Sequence, residues 1–345
     1  MEVYAPGVVK LFGEHAVVYG KTAVAIAITQ YAKAEVQGGK PGAVEMRLLD
    51  FGGISIALKW EDMAKICKIY RARKDIEGFV ESIRGVDHRL LPYVVIASRM
   101  AVENGGRVGG ARIEISSQIP VKMGVASSAA CSTAFAVALA NFAGLKLTDA
   151  QMIEIARDGE RIVHRNDEAG KIDVSGSYFG GCVSYNDAYG ARRVAVKSKM
   201  DVLLVNSGPK KPTAETVRHV AELNKSNGEY VKVLLEQIEE CTRRGLEAIE
   251  SGDRNGIGKL MTENHKLLTA LGVSNESLDK VVALSEAGGA YGAKLSGGGG
   301  GGLAIVLPKD DVGRLVHMLN RSGFDTYAAD VSEKGAKDYV GAANG

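Results

Sequence analysis

The sequence predicts an α+β protein of two domains. The 345-residue chain is long enough for one large or two medium domains. Short apolar runs typical of strands dominate its start, and its second half follows the order strand, helices, strand, strand, helix, strand. That order is the split βαβ, or ferredoxin-like, arrangement with extra helices inserted. We therefore predict one domain over 1–195 and a ferredoxin-like domain over 196–345.

Composition argues against several classes of protein. The chain is 46% hydrophobic and 24% charged, and its formal net charge of +2 argues against a dedicated nucleic-acid binder. The longest apolar run, within 128–143, is too short to span a bilayer, and the start MEVYAPGVVK lacks a signal-peptide pattern. We therefore expect a cytoplasmic protein without nucleic-acid or membrane partners. The cysteines show no metal-binding spacing and are expected to be buried thiols: Cys67, Cys131, Cys182 and Cys241.

The first half alternates strand and helix patterns. Ala5-Pro6-Gly7 separates the first two predicted strands, and Gly52-Gly53 marks a hairpin. The predicted strands are 2–4, 8–13, 22–30, 31–37, 44–49, 54–58 and 110–116. The predicted helices are about 75–104, the small-residue segment up to about 143, and 149–164. The last helix is amphipathic, with one apolar face formed by Met152, Ile155, Ala156, Gly159, Ile162 and Val163.

The second half has longer helical patterns between short buried strands. Helical periodicity runs from Thr213 to Gly272 and is broken at 224–228 and again at 251–255. Further helices are predicted at 275–287 and 310–322. The predicted strands are 201–206, 293–296, 302–307 and 325–331.

The segment IPVKMGVASSAA, at 119–130, has the composition of a loop that opens a buried helix. Gly124 and its small neighbours would let main-chain N–H groups approach an anion, and the positive end of the helix dipole would favour a phosphate. Ser127 or Ser128 could add a hydroxyl to that phosphate or to a metal ion. The segment is not a Walker A loop, because no Gly-Lys-Ser/Thr follows. Ser127 could equally be the N-cap of a core helix.

Three residues near the N-terminus are candidates for a site. Lys10 lies within the apolar run VVKLF, where a buried lysine is costly unless it is paired or serves chemistry; it could also face solvent from an edge strand. Glu14 and His15 follow Gly13 in a turn. Such a pair could hold a polar substrate or could simply cap a surface turn.

Two carboxylates further along the chain have two interpretations each. Glu160 lies at the border of the apolar face of its helix, where it could reach into a cleft or pair with His164 at i,i+4. Asp173 lies between Ile172 and Val174, ahead of a glycine-containing strand. It could be a catalytic base, or an aspartate in a turn or at a strand end that faces water.

Gly297 to Gly302 form an uninterrupted glycine run. A flexible linker is one interpretation. The run joins two short apolar strands, however, and glycine permits positive φ and close approach of main chain to a ligand. We therefore predict a loop that packs beside the phosphate-binding segment.

These segments resemble the motifs of a known family. PGVVKLFGEHAVVYG (6–20), the 119–130 segment and KLSGGGGGG (294–302) resemble the three motifs of the GHMP kinases. Within that family, the first motif and ENHKLLTALGVSNESLD (263–279) are most similar to the mevalonate kinases of the archaeal type. The resemblance covers most of the chain. It implies an N-terminal domain like ribosomal S5 domain 2, a ferredoxin-like C-terminal domain and a site in the cleft between them.

The resemblance also implies an activity: ATP-dependent phosphorylation of (R)-mevalonate to 5-phosphomevalonate in isoprenoid biosynthesis, with Mg²⁺ bound by Ser128 and Glu160. Asp173 would accept the hydroxyl proton, and Lys10 would stabilise the charges of that carboxylate and of the transferring oxygen. The nucleotide would be held by Lys122, Met123, Gly124, Val125, Ala126, Ser127, Ser128 and Ala129. Mevalonate would contact Glu14, His15, Thr213, Gly297 and Gly298, although Thr213 is also a good helix N-cap. A homodimer is compatible with this resemblance.

Departures from the family pattern keep other functions open. Ala126 and Gly298 replace a family glycine and a family alanine, and the approach to Asp173 is two residues longer than usual and lacks a Pro-Ser pair, so Asp167 and Glu168 are fallback carboxylates. One alternative is a phosphomevalonate kinase or another GHMP kinase, for which extra basic side chains are available. A related decarboxylase and a nucleotide-binding regulator without catalysis are further alternatives. The available lysines are Lys21, Lys171, Lys210 and Lys211.

Overall fold

Two β-sheets and the helices that cover them form the molecule. The computed structural model describes residues 1–105, 108–120, 123–309 and 311–340. In that part of the chain, one sheet has seven strands and the other has four. The α+β fold predicted from the sequence is confirmed.

The seven-stranded sheet is built around one long strand, β2. The order is β4-β3-β5-β2-β6-β7, and β1 pairs with β2 outside this path. β5 and β6 share one edge of β2 while β1 occupies the other, and within the described sheet β1 pairs with no other strand. The other edge of β1 is therefore available to loops. The strands are β1 (Glu2–Phe12), β2 (Ala23–Gly38), β3 (Ala43–Leu48), β4 (Ile54–Lys59), β5 (Ala111–Ser117), β6 (Cys182–Asn186) and β7 (Gly190–Val194).

Within the described residues, six α-helices accompany this sheet. One of them, α4, is buried on nearly all sides because its alanines and serines let neighbouring elements approach closely. It packs against β1, β2 and α5. The helices are α1 (Trp60–Arg71), α2 (Ile76–Ser82), α3 (Leu91–Glu103), α4 (Ser127–Phe142), α5 (Asp149–His164) and α6 (Lys171–Phe179).

The four-stranded sheet has the order β11-β8-β10-β9, with all neighbours antiparallel. This is the strand order of a split βαβ fold, so the ferredoxin-like prediction is confirmed. Its strands are β8 (Val202–Asn206), β9 (Gly292–Leu295), β10 (Leu303–Leu307) and β11 (Asp325–Ala329). Its helices are α7 (Thr213–Ser226), α8 (Gly228–Ser251), α9 (Arg254–Ala270), α10 (Glu276–Ala287) and α11 (Val312–Arg321).

The two halves share packing rather than meeting at a loose hinge. The Gly245 main chain of α8 packs on the Phe12 ring, where an added Cβ would be 2.6 Å from Cε2. Thr22 donates hydrogen bonds from its N–H and Oγ1 to the Glu239 carboxylate at 2.6 and 2.9 Å. Near the C-terminus, Val331 forms a β-bridge with Ile28 of β2. The domain boundary after residue 195 stays a prediction.

The structure corrects several predicted elements. β1 is one strand, because a register shift between Pro6 and Gly7 absorbs the proline without ending the pairing with β2. The runs 22–30 and 31–37 likewise form the single strand β2. The predicted helix 75–104 is two helices, and Val163 is 45% exposed rather than part of the apolar face of α5. Helices α1 and α6 and strand β7 were not predicted.

Candidate active site

The free edge of β1 carries contacts from two distant loops. The Val8 N–H donates to the Val125 carbonyl at 3.0 Å, and the Lys10 N–H donates to Ser296 Oγ at 2.9 Å. Val125 belongs to the predicted phosphate-binding segment, and Ser296 directly precedes the glycine run. β1 therefore holds both loops at its edge, two residues apart.

Lys10 and Asp173 form an ion pair at this edge. Lys10 Nζ lies 2.8 Å from Asp173 Oδ2 and 2.6 Å from Oδ1, and the two side chains are 21% and 17% exposed. Asp173 lies in the first turn of α6, so the expectation of a strand-end aspartate is wrong. α6 packs closely on β1, since a Cβ on Gly176 would be 2.8 Å from Val8 Cγ2. A carboxylate and a lysine are thus held together, half-buried and open to a ligand.

Within the segment 123–129, residues 123–126 form a tight turn that leads into α4. Gly124 has φ 83°, and Ala126 has φ 56° and ψ 40°, a left-handed conformation unusual for a residue with a Cβ. Ala126 is the N-cap residue and Ser127 the first helical one, so the N-cap interpretation of Ser127 is wrong; its Oγ lies 3.3 Å from Ser117 Oγ.

The side chains of this segment divide between core and cleft. The side chains of Met123, Val125 and Ala129 are buried in the core. Ser128, half-exposed in the first turn of α4, can direct its hydroxyl to a ligand. Lys122 lies outside the described residues.

Glu160 has the features of a metal ligand. Its side chain is 1% exposed, Oε2 lies 3.4 Å from His164 Nε2, and Oε1 has no hydrogen-bond partner among the described residues. The pair predicted at i,i+4 therefore exists, and its hydrogen bond raises the pKa of His164. The other carboxylate oxygen remains for a hard cation such as Mg²⁺. No cluster of three or more His, Cys, Asp or Glu side chains able to bind a metal occurs within the described ranges.

Arginine side chains hold the segment that precedes Asp173, which is two residues longer than in the family pattern. Arg157 and Arg161 donate to the Asp167 carbonyl, and Arg73 pairs with the Asp167 carboxylate at 2.7 Å. Glu168 pairs with Lys171 at 2.7 Å. Both fallback carboxylates are therefore paired with other cations, whereas Asp173 pairs with Lys10.

Glu14 and His15 connect the first motif to the last. Glu14 forms a buried ion pair with Lys294, whose side chain is fully buried. His15 Nε2 lies 3.0 Å from the Gly298 carbonyl, and burial lowers the pKa of His15 to about 4. His15 is therefore neutral at pH 7, donates from Nε2 and keeps Nδ1 as an acceptor. A neutral imidazole can accept a hydrogen bond from a substrate hydroxyl but supplies no cation for a carboxylate.

The glycine run is a fixed loop, so the linker interpretation is wrong. A Cβ at Gly299 would lie 2.0 Å from the Val273 carbonyl oxygen, and a Cβ at Gly301 would lie 2.0 Å from that of Pro209. The Gly300 N–H also donates to the Val273 carbonyl at 2.8 Å. The segment 263–279 thus supports this loop from behind.

Thr213 explains one departure from the family pattern. A Cβ on Gly298 would lie 2.8 Å from Thr213 Cγ2, so the alanine typical of the family would collide with this threonine. Thr213 is the first residue of α7 and Pro212 is its N-cap, so the N-cap interpretation of Thr213 is wrong. Gly297, by contrast, borders open space.

Sequence reasoning missed Lys294 and Ser296 as site residues. Lys294 is a lysine within a short apolar strand, the same signal that singled out Lys10. Ser296 carried no such signal, because a serine at a strand end is common. Their partners are 280 and 286 residues away, a distance that no local pattern bridges.

The chain is similar to GHMP kinases in sequence and in structure. Residues 92–181 match the model of the GHMP kinases N terminal domain, and 246–325 match that of the GHMP kinases C terminal domain. The chain is 29% identical to the mevalonate kinase of Aeropyrum pernix, covering 96% of each protein. It is 31% identical to that of Pyrococcus horikoshii, covering 88% of this chain and 87% of that protein. The crystal structure of Methanococcus jannaschii mevalonate kinase matches with a TM-score of 0.76 at 25% identity, over 96% of this chain and 98% of that one.

None of the helices in the described ranges combines the length and the apolar character required to cross a bilayer.

Proposed function

The chain belongs to the GHMP kinase family, and from this premise we propose that it transfers the γ-phosphoryl group of ATP to the 5-hydroxyl of (R)-mevalonate. The observation that carries the proposal is the Lys10–Asp173 pair, at 2.6 and 2.8 Å, on the strand that holds both the 123–129 turn and the glycine loop. The similarity to mevalonate kinases along nearly the whole chain supports the acceptor. The product enters isoprenoid biosynthesis.

In this proposal Asp173 accepts the proton of the 5-hydroxyl as the oxygen attacks the γ-phosphorus, and ADP leaves. Lys10 donates to Asp173 and places a positive charge where the transferring oxygens gain negative charge. His15 orients a substrate hydroxyl through Nδ1, while Thr213, Gly297 and Gly298 border the acceptor. Glu14 supports this turn through Lys294. Most of the catalysis then comes from position and charge rather than from covalent chemistry.

The nucleotide side of the proposal uses the 123–129 turn and the start of α4. Main-chain N–H groups there, together with the helix dipole, suit a polyphosphate. Ser128 and Glu160 Oε1 would hold Mg²⁺, a fit supported by the buried and unpartnered Oε1 among the described residues. Such an ion neutralises phosphate charge when bound. A cytoplasmic location and a homodimer also belong to the proposal.

The phosphomevalonate alternative needs extra cations at the acceptor. Lys171 is engaged with Glu168 and Asp187 at 2.7 and 2.8 Å. Lys210 Nζ lies 3.6 Å from the Cβ position of Gly124, in the segment proposed for the nucleotide. The engagement of Lys171 with two carboxylates favours mevalonate as the acceptor. A regulator without catalysis would need neither Lys10 nor Asp173, so their pairing favours an enzyme.

The test is ADP release with Mg-ATP and a panel of acceptors: mevalonate, 5-phosphomevalonate, homoserine, galactose and shikimate. We expect turnover on mevalonate and a loss of about 10³-fold or more in kcat for Asp173→Asn. Asp167→Asn is the matched control and should stay close to wild type, because Asp167 pairs with Arg73. Turnover on 5-phosphomevalonate alone, or full activity of Asp173→Asn, would overturn the proposal.

A further inference from the structure

Three contacts join the first motif to the last one, and one of them is made to Lys10 itself. Glu14 pairs with Lys294, and His15 hydrogen-bonds to the Gly298 carbonyl. The third contact is a reciprocal pair between Lys10 and Ser296. The Lys10 N–H donates to Ser296 Oγ at 2.9 Å, and the Ser296 hydroxyl donates to the Lys10 carbonyl at 3.1 Å.

This arrangement substitutes a side chain for a neighbouring strand. Lys10 is opposite Ala25 in the β1–β2 pairing, and its main-chain N–H and C=O bond on the other side, to Ser296. The β1–β2 register is irregular directly after Lys10. On the edge of β1 that faces away from β2, the Lys10 backbone therefore has the Ser296 side chain as its partner in place of a neighbouring strand.

Ser296 is itself rigidly placed. It is 3% exposed, and its N–H donates to the Leu303 carbonyl at 3.0 Å, which continues the β9–β10 pairing. Gly297 follows it directly. A movement of the glycine loop would therefore be transmitted through this serine to the backbone of Lys10.

We propose that Ser296 is a positioning residue that fixes Lys10 against Asp173 and couples this pair to the glycine loop. The inference rests on the proposed function for its kinetic consequence. A long side chain amplifies a small rotation of its backbone, and a misplacement of about 1 Å at a reacting group can cost on the order of 100-fold in rate. Loss of the Ser296 hydroxyl should therefore reduce kcat and leave substrate binding nearly unchanged.

The test compares Ser296→Thr with Ser296→Val, two side chains of nearly equal volume that differ in the hydroxyl. We expect the threonine variant to stay within about threefold of wild type and the valine variant to lose about 10- to 100-fold in kcat. The KM values for ATP and mevalonate should change by less than about threefold. Ser332→Ala is the control. The buried Ser332 hydroxyl bonds to Tyr31 and to the Lys334 carbonyl and not to Lys10, so kcat should not change.

A double-mutant cycle with Lys10→Met separates positioning from general damage. If Ser296 acts through Lys10, Ser296→Val should cost little further activity once Lys10 is replaced. An equal loss in both backgrounds would overturn the proposal, as would a raised KM with unchanged kcat.

Amide hydrogen exchange provides a readout independent of turnover. The Lys10 N–H should exchange faster in the valine variant than in the threonine variant, because its acceptor is Ser296 Oγ. Equal exchange in both would contradict the proposal. Failure of the proposed function looks different, since wild type would then release no ADP with mevalonate while the exchange difference persisted.

Discussion

The turn before α4 and the glycine loop both lie at the edge of β1, held there by Val125 and Ser296, but they are built in opposite ways. The turn at 123–126 reaches its left-handed conformations with one glycine and one alanine, Gly124 and Ala126. The loop at 297–302 uses glycine throughout, and five of its six residues have positive φ: Gly297, Gly299, Gly300, Gly301 and Gly302.

The difference lies in what surrounds each loop. Around the Cβ position of Gly124 the nearest atoms lie at 3.6 Å, an ordinary contact distance, and the Ala126 methyl group is accommodated. Behind the glycine loop, the carbonyl oxygens of Val273 and Pro209 lie 2.0 Å from the Cβ positions of Gly299 and Gly301. The first loop is shaped by the helix that it opens, and the second by close packing of main chain on main chain.

The largest expected effect is that of Gly299→Ala. The new Cβ would meet the Val273 carbonyl and the residue would keep a φ of 74°, so we expect the free energy of unfolding to fall by more than about 2 kcal/mol. Urea denaturation measures the change. Gly297→Ala is the matched control: its φ is 82° but it borders open space, and it should cost about 1 kcal/mol. Equal costs would show that packing does not shape this loop.

The second prediction concerns the tie between His15 and the glycine loop. In the folded protein, burial lowers the pKa of His15 from 6.5 to about 4. At a pH between these values, His15 is protonated in the unfolded chain and neutral in the folded protein. Stability contributed by neutral His15 is complete above pH 6.5 and is lost as the pH falls toward 4. Between pH 7 and pH 5 the loss should be about 2 kcal/mol.

His15→Gln tests this assignment, because the Gln amide can still donate to the Gly298 carbonyl but does not titrate in this range. Denaturation at pH 7 and pH 5 should show a smaller loss on acidification for the variant than for wild type. The same pH dependence in both proteins would assign the acid sensitivity to other groups.

The smallest effect is expected in the other loop. Ala126→Gly should raise the free energy of unfolding by about 0.5–1 kcal/mol, because glycine adopts the left-handed conformation without strain. Thermal unfolding measures the change. Ala129→Gly, two residues inside the helix that follows, should lower stability by about 1 kcal/mol. If both substitutions destabilise the protein, the left-handed alanine carries no strain and the contrast between the loops weakens.

Much of the fold could be predicted from the sequence. The element order of the second half was correct because its helices are long, periodic and separated by clear breaks at 224–228 and 251–255. The first half was harder. Pro6 falsely indicated the end of a strand, since an edge strand absorbs a proline through a register shift. Helix α6, which carries Asp173, was not predicted, because so short a helix shows too little periodicity to be recognised.

The site could be predicted only in part. Lys10 and Asp173 could be found because each is a charged residue among apolar neighbours in the sequence, and the structure brings them together. The partners of Glu14 and Lys10 in the last motif depend on long-range packing that no local pattern contains. The roles of the nucleotide, metal and substrate residues stay predictions until tested.

The contacts at the edge of β1 also have a consequence for the order of folding. Ser296 follows Lys10 by 286 residues and Lys294 follows Glu14 by 280, so the strand that carries Lys10 is synthesised long before these partners. Contacts of such high sequence separation form late, because a long loop must be closed before they contribute. On the ribosome, β1 therefore lacks these partners until β9 has emerged, and a nascent protein cut short before β9 would have Lys10 and Asp173 but no Ser296 to bond the backbone of Lys10.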